Sequence, residues 1–346
     1  MQSLAYLILI AVSVLMYGAA FVVHENLSVL YERAMSRNFD IVRIEELFGA
    51  RVANWKGQID LLFVGDIMLS RSVGKAIAQR NDPTYPFHEI AEQVQNADIA
   101  FGNLEGPISG RGTNRGSIYS FRADPAAVAG LRFAGFDVLS LANNHIFDWG
   151  PEALRDTVNF LSQSGIHAVG AGANREAANR SGMLTARNNN VAFLAYTTLY
   201  PKSLEAGTSS PGISSFEMEK VRETIRALRD EADVIVVSLH WGEEYRTTST
   251  IAQQGIAQAL IDAGADLVVG HHPHVMQEIE RYKHGWIAYS LGNFVFDQNF
   301  SEETMRGLTL TATVARGKLT GIKTSVVQIS DTFQPSIPDA SNSGDL

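Results

Sequence analysis

A chain of 346 residues, 45% hydrophobic and 19% charged, carries enough apolar material for one large domain or two small ones and is neither disordered nor fibrous in composition. Its net charge of −9 offers no basic face to nucleic acid and repels an acidic polymer at long range, so an anionic substrate has to be held by a local cation or by arginines. With no cysteine, disulfide scaffolding, zinc–thiolate sites and cysteine nucleophiles are excluded, which agrees with work outside the reducing cytoplasm.

Leu4 to Val23 carries no charge, and a helix of that length, rising 1.5 Å per residue, spans the roughly 30 Å hydrocarbon layer of a membrane. We read 4–23 as a transmembrane signal-anchor rather than a cleaved signal. Gly18-Ala19-Ala20 has the small residues of a cleavage site, but the apolar run is long for a signal and no Lys or Arg precedes it. Arg33, Arg37 and Arg43 follow the run, and charge counting alone places the main domain inside the cell. Residues 24–56 set Leu27, Leu30, Tyr31, Ala34, Val42, Leu47 and Phe48 among charges at helical spacing, a juxtamembrane stalk. Residues 57–330 form one mixed α/β domain, and the polar, Pro-containing stretch 331–346 is expected to be a disordered tail.

Within the domain, apolar runs repeatedly stop at polar residues. The run Ile59–Val64 ends in Gly65-Asp66, where α/β folds gather ligands; a helix N-cap is the plain alternative for Asp66. Helical spacing resumes from Pro86 to Val94, and the strand Asp98–Phe101 exits through Gly102-Asn103-Leu104-Glu105-Gly106-Pro107. The long segment that follows, with Arg111, Arg115 and Arg122, is either a substrate loop or solvated filler. After a helix over Pro125–Phe133, the strand Asp137–Ala142 ends at Asn143-Asn144-His145, with Asp148 close behind. An amide oxygen and an imidazole at that point can ligate a metal and move a proton.

Pro151 opens a helix to Ser164, strands follow near Met183–Ala186 and Val191–Tyr196, and Phe216–Leu228 is amphipathic. The strand Val234–Leu239 delivers His240, and a helix over Ile251–Ala263 leads to the strand that ends in Gly270-His271-His272-Pro273-His274. Three of the nine histidines lie in the four residues after Gly270, largely neutral near pH 7 and able to turn several ring nitrogens to one cation. One more strand, Trp286–Gln298, has a polar exit, and Gly307–Ala315 and Leu319–Ile329 close the domain.

Asp66, Glu105, Asn144, His145, His240, His272 and His274 thus all stand just past strand ends. Oxygen and imidazole donors without thiolate suit Mn²⁺, Zn²⁺ or iron, in a hydrolytic site of one or two ions. A polar cleft in which these groups satisfy one another without metal is the alternative.

Six ordered motifs carry a resemblance. They are Gly65-Asp66-x-Met68-Leu69, Asn103-Leu104-Glu105-x-Pro107, Ala142-Asn143-Asn144-His145-x-x-Asp148-x-Gly150, His240-Trp241-Gly242, Gly270-His271-His272-Pro273-His274-Val275 and Ser290-Leu291-Gly292-Asn293-Phe294. Together they resemble the CapA/PgsA family of poly-γ-glutamate capsule-synthesis proteins. The resemblance implies a single-pass protein of the cell membrane, with its domain on the extracytoplasmic side against the charge count. It also implies work with membrane synthase subunits on poly-γ-glutamate or another anionic polymer.

That family is in turn similar to calcineurin-like metallophosphoesterases, which implies an αββα sandwich of two mixed sheets. By this similarity Asp66 matches the first metal ligand, Glu105 the bridging carboxylate, Asn144 the amide ligand, His145 the general acid, and His240, His272 and His274 the imidazole ligands. Where those enzymes carry Asp-x-His, this chain has Asp66-Ile67-Met68, and a thioether serves a hard divalent ion poorly. Arg71 and Arg122 are expected to clamp an anion, with Asn103 and Asn293 as further substrate-binding groups. Two other functions stay open: a metal-dependent phosphodiesterase of small molecules or lipids, and a non-catalytic scaffold of a polymer synthase complex.

Overall fold

Alternation at a period of two builds the centre of the molecule. In β1 (Ile59–Ile67), Leu61 and Phe63 enter one apolar cluster while Leu62 and Val64 enter another on the opposite face. A strand apolar on both faces has to be covered on both.

The computed structural model describes residues 56–338 and the backbone of 343–345; the expected anchor at 4–23 and all of the stalk but Lys56 lie outside the described residues. Among the described residues no helix is long and apolar enough to cross a membrane. After β1 come α1 (Arg71–Arg80), α2 (Ala91–Gln95), β2 (Ile99–Leu104), α3 (Ala127–Ala134), β3 (Val138–Ser140), α4 (Gly150–Gln163) and β4 (His167–Val169). Next are β5 (Ala171–Gly172), α5 (Arg175–Asn179), β6 (Gly182–Ala186), β7 (Asn189–Thr197), β8 (Gly212–Ile213), α6 (Met218–Leu228) and β9 (Val234–His240). The chain continues through α7 (Ile251–Ala263), β10 (Leu267–His271), β11 (Ile279–Tyr282), β12 (Gly285–Ala288) and β13 (Asn293–Val295). It closes with β14 (Arg306–Ala315), β15 (Lys318–Ile329), β16 (Pro335–Ser336) and β17 (Ser343–Asp345).

One large sheet runs β16-β15-β14-β1-β2-β3-β4, with β13 also on β1 and β17 on β15; the other large sheet runs β11-β12-β10-β9-β7-β6, and β5 pairs with β8 in a small third one. Strands β1, β2, β3 and β4 are parallel, as are β7, β9, β10 and β12. The two sheets face each other through Phe63, Phe101, Val138, Phe193, Val236 and Val269, and the rings of Phe101 and Phe193 stack 5.7 Å apart across the gap. Val73, Ile77, Leu131 and Leu154 of α1, α3 and α4 cover the outside of the first sheet, and Val221, Ile225, Leu260 and Ile261 of α6 and α7 cover the second. The order of layers is helices, sheet, sheet, helices, a mixed α/β fold with two sheets as the sequence led us to expect.

Three stretches differ from expectation. The strand read as Trp286–Gln298 is two strands in different sheets, β12 beside β10 and β13 beside β1. Gly292 makes the passage, with a φ of +70° that few side chains tolerate. Pro86–Val94 is not one helix but a 3₁₀ turn at Tyr85–Phe87 followed by α2. The tail expected from 331 is laid against the domain over its first residues: Pro335 and Ser336 pair with Ile329 and Gln328, and Phe333 and Ile337 pack on the core.

Candidate metal centre

Parallel strands point all their carboxyl ends one way, so β1, β2 and β3 in one sheet and β9 and β10 in the other release their last residues into a single region. Register does the rest. Asp66 is level with Asn103 on β2 and with Asn293 on β13, and His240 with His271 on β10. Gly65 allows the alignment of Asp66 with Asn293, because a Cβ there would collide with the carbonyl oxygen of Gly292.

Asp66, Glu105, His240, His271, His272 and His274 are all buried, and Asn144 is half-buried. One ligand atom each from Asp66, Glu105 and His240 lies within 4.8 Å of the other two, and the same holds for Glu244, His272 and His274. The groups abut: His274 Nδ1 is 3.3 Å from Asp66 Oδ2, and His274 Nε2 is 3.6 Å from Glu105 Oε1. His240 Nε2 reaches Asn144 Oδ1 at 2.9 Å. The rings of His272 and His240 are 4.9 Å apart, and those of His272 and His274 5.8 Å.

Amides brace this cluster. Asn103 Nδ2 donates to Asp66 Oδ1 at 2.8 Å, Asn143 Nδ2 donates to Asn103 Oδ1 at 3.2 Å, and Asn293 Oδ1 lies 3.0 Å from His274 Nδ1. His272 and His274 hold left-handed φ values of +97° and +58°, a local cost of about 1–3 kcal/mol each that the surrounding packing has to sustain.

Several buried atoms nevertheless lack a hydrogen-bond partner: Glu105 Oε1, His272 Nδ1 and both ring nitrogens of His271. His271 Nδ1 does lie 3.3 Å from Asp66 Oδ1, without hydrogen-bond geometry. Lone pairs withdrawn from water and left unpaired are costly, and a divalent cation satisfies them. The donor set fits such an ion.

The charges are shaped accordingly. Burial acts most strongly on Asp66 and raises its pKa, but His271 and His274 together outweigh it and hold the carboxyl well below its ordinary value. Burial pushes Glu105 well above its ordinary range, aided by Asp66 and Glu244 and opposed by His274. Burial and then neighbouring imidazoles lower His240, and lower His272 to about 3, so both rings present lone pairs. His274 goes the other way: burial opposes its charge, yet Glu105 and Asp66 raise it to about 9.

His145 stands at the edge, its Nδ1 2.8 Å from Asp148 Oδ2 and its Nε2 3.9 Å from Glu105 Oε1, with the ring of Phe121 against it at 4.0 Å. A histidine fixed at one nitrogen by a carboxylate is oriented to exchange a proton at the other. The remaining expected residues are placed differently. Asn103 and Asn293 are fully buried inside the brace, where they hold Asp66 and His274. Arg71 is paired with Asp297 at 3.2 Å and lies 5.5 Å from the ring of Phe121. Arg122 is stacked on Trp149 at 3.5 Å and donates to Arg111 O. The Met68 sulfur is turned away to Ser70, accepting from its N–H and hydroxyl at 3.1 and 3.0 Å.

The sequence reading counted His271 in the histidine cluster without assigning it a ligand role, and it left out Glu244, which only the loop after β9 brings in. Asp148 and Asn143 were visible beside His145, but nothing in their spacing separated a ring's partner from a turn residue.

The sequence description of a family, "Bacterial capsule synthesis protein PGA_cap", matches residues 60–298. The capsule biosynthesis protein CapA of Bacillus anthracis is 35% identical over 252 residues, covering 70% of this chain and 61% of that protein. The PGA biosynthesis protein CapA of Bacillus subtilis (strain 168) is 34% identical over 242 residues, covering 69% of this chain and 63% of that protein. The chain therefore spans just under two thirds of the length of these relatives. Among solved structures, the NAD nucleotidase of Haemophilus influenzae overlaps 83% of this chain and 54% of its own, with a TM-score of 0.47 and 11% identity. The match covers more than half of the chain and every strand end that builds the cluster, and this chain belongs to the bacterial capsule synthesis protein PGA_cap family.

Proposed function

We propose that this chain is a membrane-anchored, CapA-like protein of capsule assembly or export whose cleft uses a divalent cation to hold or process an anionic polymer, poly-γ-glutamate in the first instance. The observation that carries the reading is the pair of abutting three-donor groups, Asp66/Glu105/His240 and Glu244/His272/His274, with buried lone pairs left unsatisfied between them. The Bacillus subtilis relative, a PGA biosynthesis protein, supports the choice of polymer, and the Bacillus anthracis relative supports the capsule. The apolar run 4–23 supplies the anchor, with the domain on the outer face and membrane synthase subunits as partners.

By the resemblance to calcineurin-like metallophosphoesterases, Asp66, Glu105, Asn144, His240, His272 and His274 would hold one or two ions of Mn²⁺, Zn²⁺ or iron. A bound cation supplies Lewis-acid polarisation and local positive charge to a chain that is otherwise acidic. The protein's own part is to fix those donors, to keep Asp66 ionised, and to offer His145 Nε2 for proton exchange while Asp148 holds Nδ1. Carboxylates of a polymer are hard oxygen ligands and suit such a site.

The test is co-sedimentation and chain-length analysis of poly-γ-glutamate with the purified full chain, in Mn²⁺ and in excess chelator. Binding or shortening that needs the metal supports the reading; polymer behaviour identical in both conditions overturns it. The His145–Asp148 pair favours a second reading, a metal-dependent phosphodiesterase acting on a small molecule or lipid. Chelator-sensitive release of nitrophenol from bis(p-nitrophenyl) phosphate, with no effect on the polymer, would establish that reading instead.

A further inference from the structure

We propose that Glu244 is a metal ligand, the anionic donor of a second cation held with His272 and His274 on the open side of the cleft. Glu244 follows Gly242, whose φ of +87° turns the chain back after β9. Its neighbour Tyr245 donates its backbone N–H to Pro273 O at 2.8 Å, which fastens this loop to the one carrying both histidines. A carboxylate oxygen of Glu244 and a ring nitrogen from each histidine lie within 4.8 Å of one another. Rotation of the exposed Glu244 side chain brings them onto one small ion.

An independent feature points to a ligand. His272 is only 6% exposed, yet its Nδ1 has no hydrogen-bond partner. Charge balance points the same way. The inner group has two carboxylates of its own, whereas two imidazoles alone leave a divalent ion with no anionic donor. Glu244 supplies that charge, and its exposure leaves the outer ion accessible to incoming carboxylate or phosphate oxygens.

This inference rests on the reading of the cleft as a metal centre, and the experiment separates the two. The purified full chain, Glu244→Gln and the neighbouring control Glu243→Gln are titrated with Mn²⁺ by calorimetry, with electron paramagnetic resonance reporting spin coupling between paired ions. The expected result is two ions in the parent and in Glu243→Gln. In Glu244→Gln one ion remains, spin coupling is lost, and the second ion's affinity falls by more than about 100-fold, beyond what losing an outer-shell partner costs. A thermal transition like the parent's shows that the variant is folded. Two ions of parental affinity in folded Glu244→Gln overturn the assignment, as does a single ion in the parent. No ion in the parent overturns the metal centre itself.

Discussion

His274 Nδ1 lies 3.3 Å from Asp66 Oδ2, and the two groups are driven to opposite charges: burial resists both, but Asp66 is held well below its ordinary pKa and His274 is raised to about 9. Near neutral pH without metal, a proton on His274 occupies the place of a cation. Metal binding has to expel it. Because the folded pKa is about 9, the proton is present throughout the physiological range and gone above it. Apparent affinity for Mn²⁺ should therefore rise by roughly tenfold per pH unit up to about pH 9. Calorimetry at pH 7.5 in buffers of different ionisation enthalpy should show net proton release. An affinity independent of pH between 6.5 and 8.5 would contradict this.

Gly65→Ala should be among the most damaging single changes in the domain. The added Cβ collides with the Gly292 carbonyl, where β1 meets the chain leaving β12 for β13. Backbone cannot yield as a side-chain tip can, so a loss of about 3 kcal/mol or more is expected, read from the denaturant midpoint. Metal affinity should fall with it, since Asp66 is the next residue.

Asn293→Ala removes the oxygen that faces His274 Nδ1 at 3.0 Å without touching any donor to the ion. Outer-shell partners of metal-bound imidazoles are commonly worth 10–100-fold in affinity, and a loss of about that size is expected. Asn293 Nδ2 also donates to Thr304 O and to Gln298 Oε1, so Asn293→Asp, which keeps the facing oxygen, should retain most of the metal affinity while costing stability.

His145→Gln should separate chemistry from binding. Any hydrolysis of polymer or phosphodiester by the chain should drop at least about 100-fold, the usual contribution of a positioned acid or base. Metal content and polymer affinity should be unchanged, because His145 contacts Asp148 and Phe121 and approaches Glu105 no closer than 3.9 Å. Loss of metal in this variant would make His145 a ligand instead.

What could be read from the sequence follows from strand geometry. An apolar run that ends in Gly-Asp, Asn-Leu-Glu or Gly-His-His places polar groups at a sheet's edge whatever the fold, and parallel strands bring those edges together. Asp66, Glu105, His240, His272 and His274 were accessible in that way. Glu244 was not, since its arrival depends on a left-handed turn at Gly242 and a loop-to-loop hydrogen bond. Nor was the division of Trp286–Gln298 between two sheets, because both halves are apolar and only the conformation of Gly292 parts them. The helix Arg71–Arg80 escaped notice because only Val73, Ala76 and Ile77 are buried, too few to stand out as a stripe. Arg71 and Arg122 were picked out by charge, whereas the structure gives Arg71 to Asp297 and Arg122 to Trp149.

The central claim is that the strand-end residues form a divalent metal centre, and elemental analysis of the purified full chain tests it most directly. After dialysis against Mn²⁺, Zn²⁺ or Fe²⁺, the parent should retain one or two equivalents of metal, and a His272→Ala/His274→Ala variant with an intact thermal transition should retain fewer. A folded parent that binds none of the three ions, or a double variant that binds as much as the parent, would contradict the account.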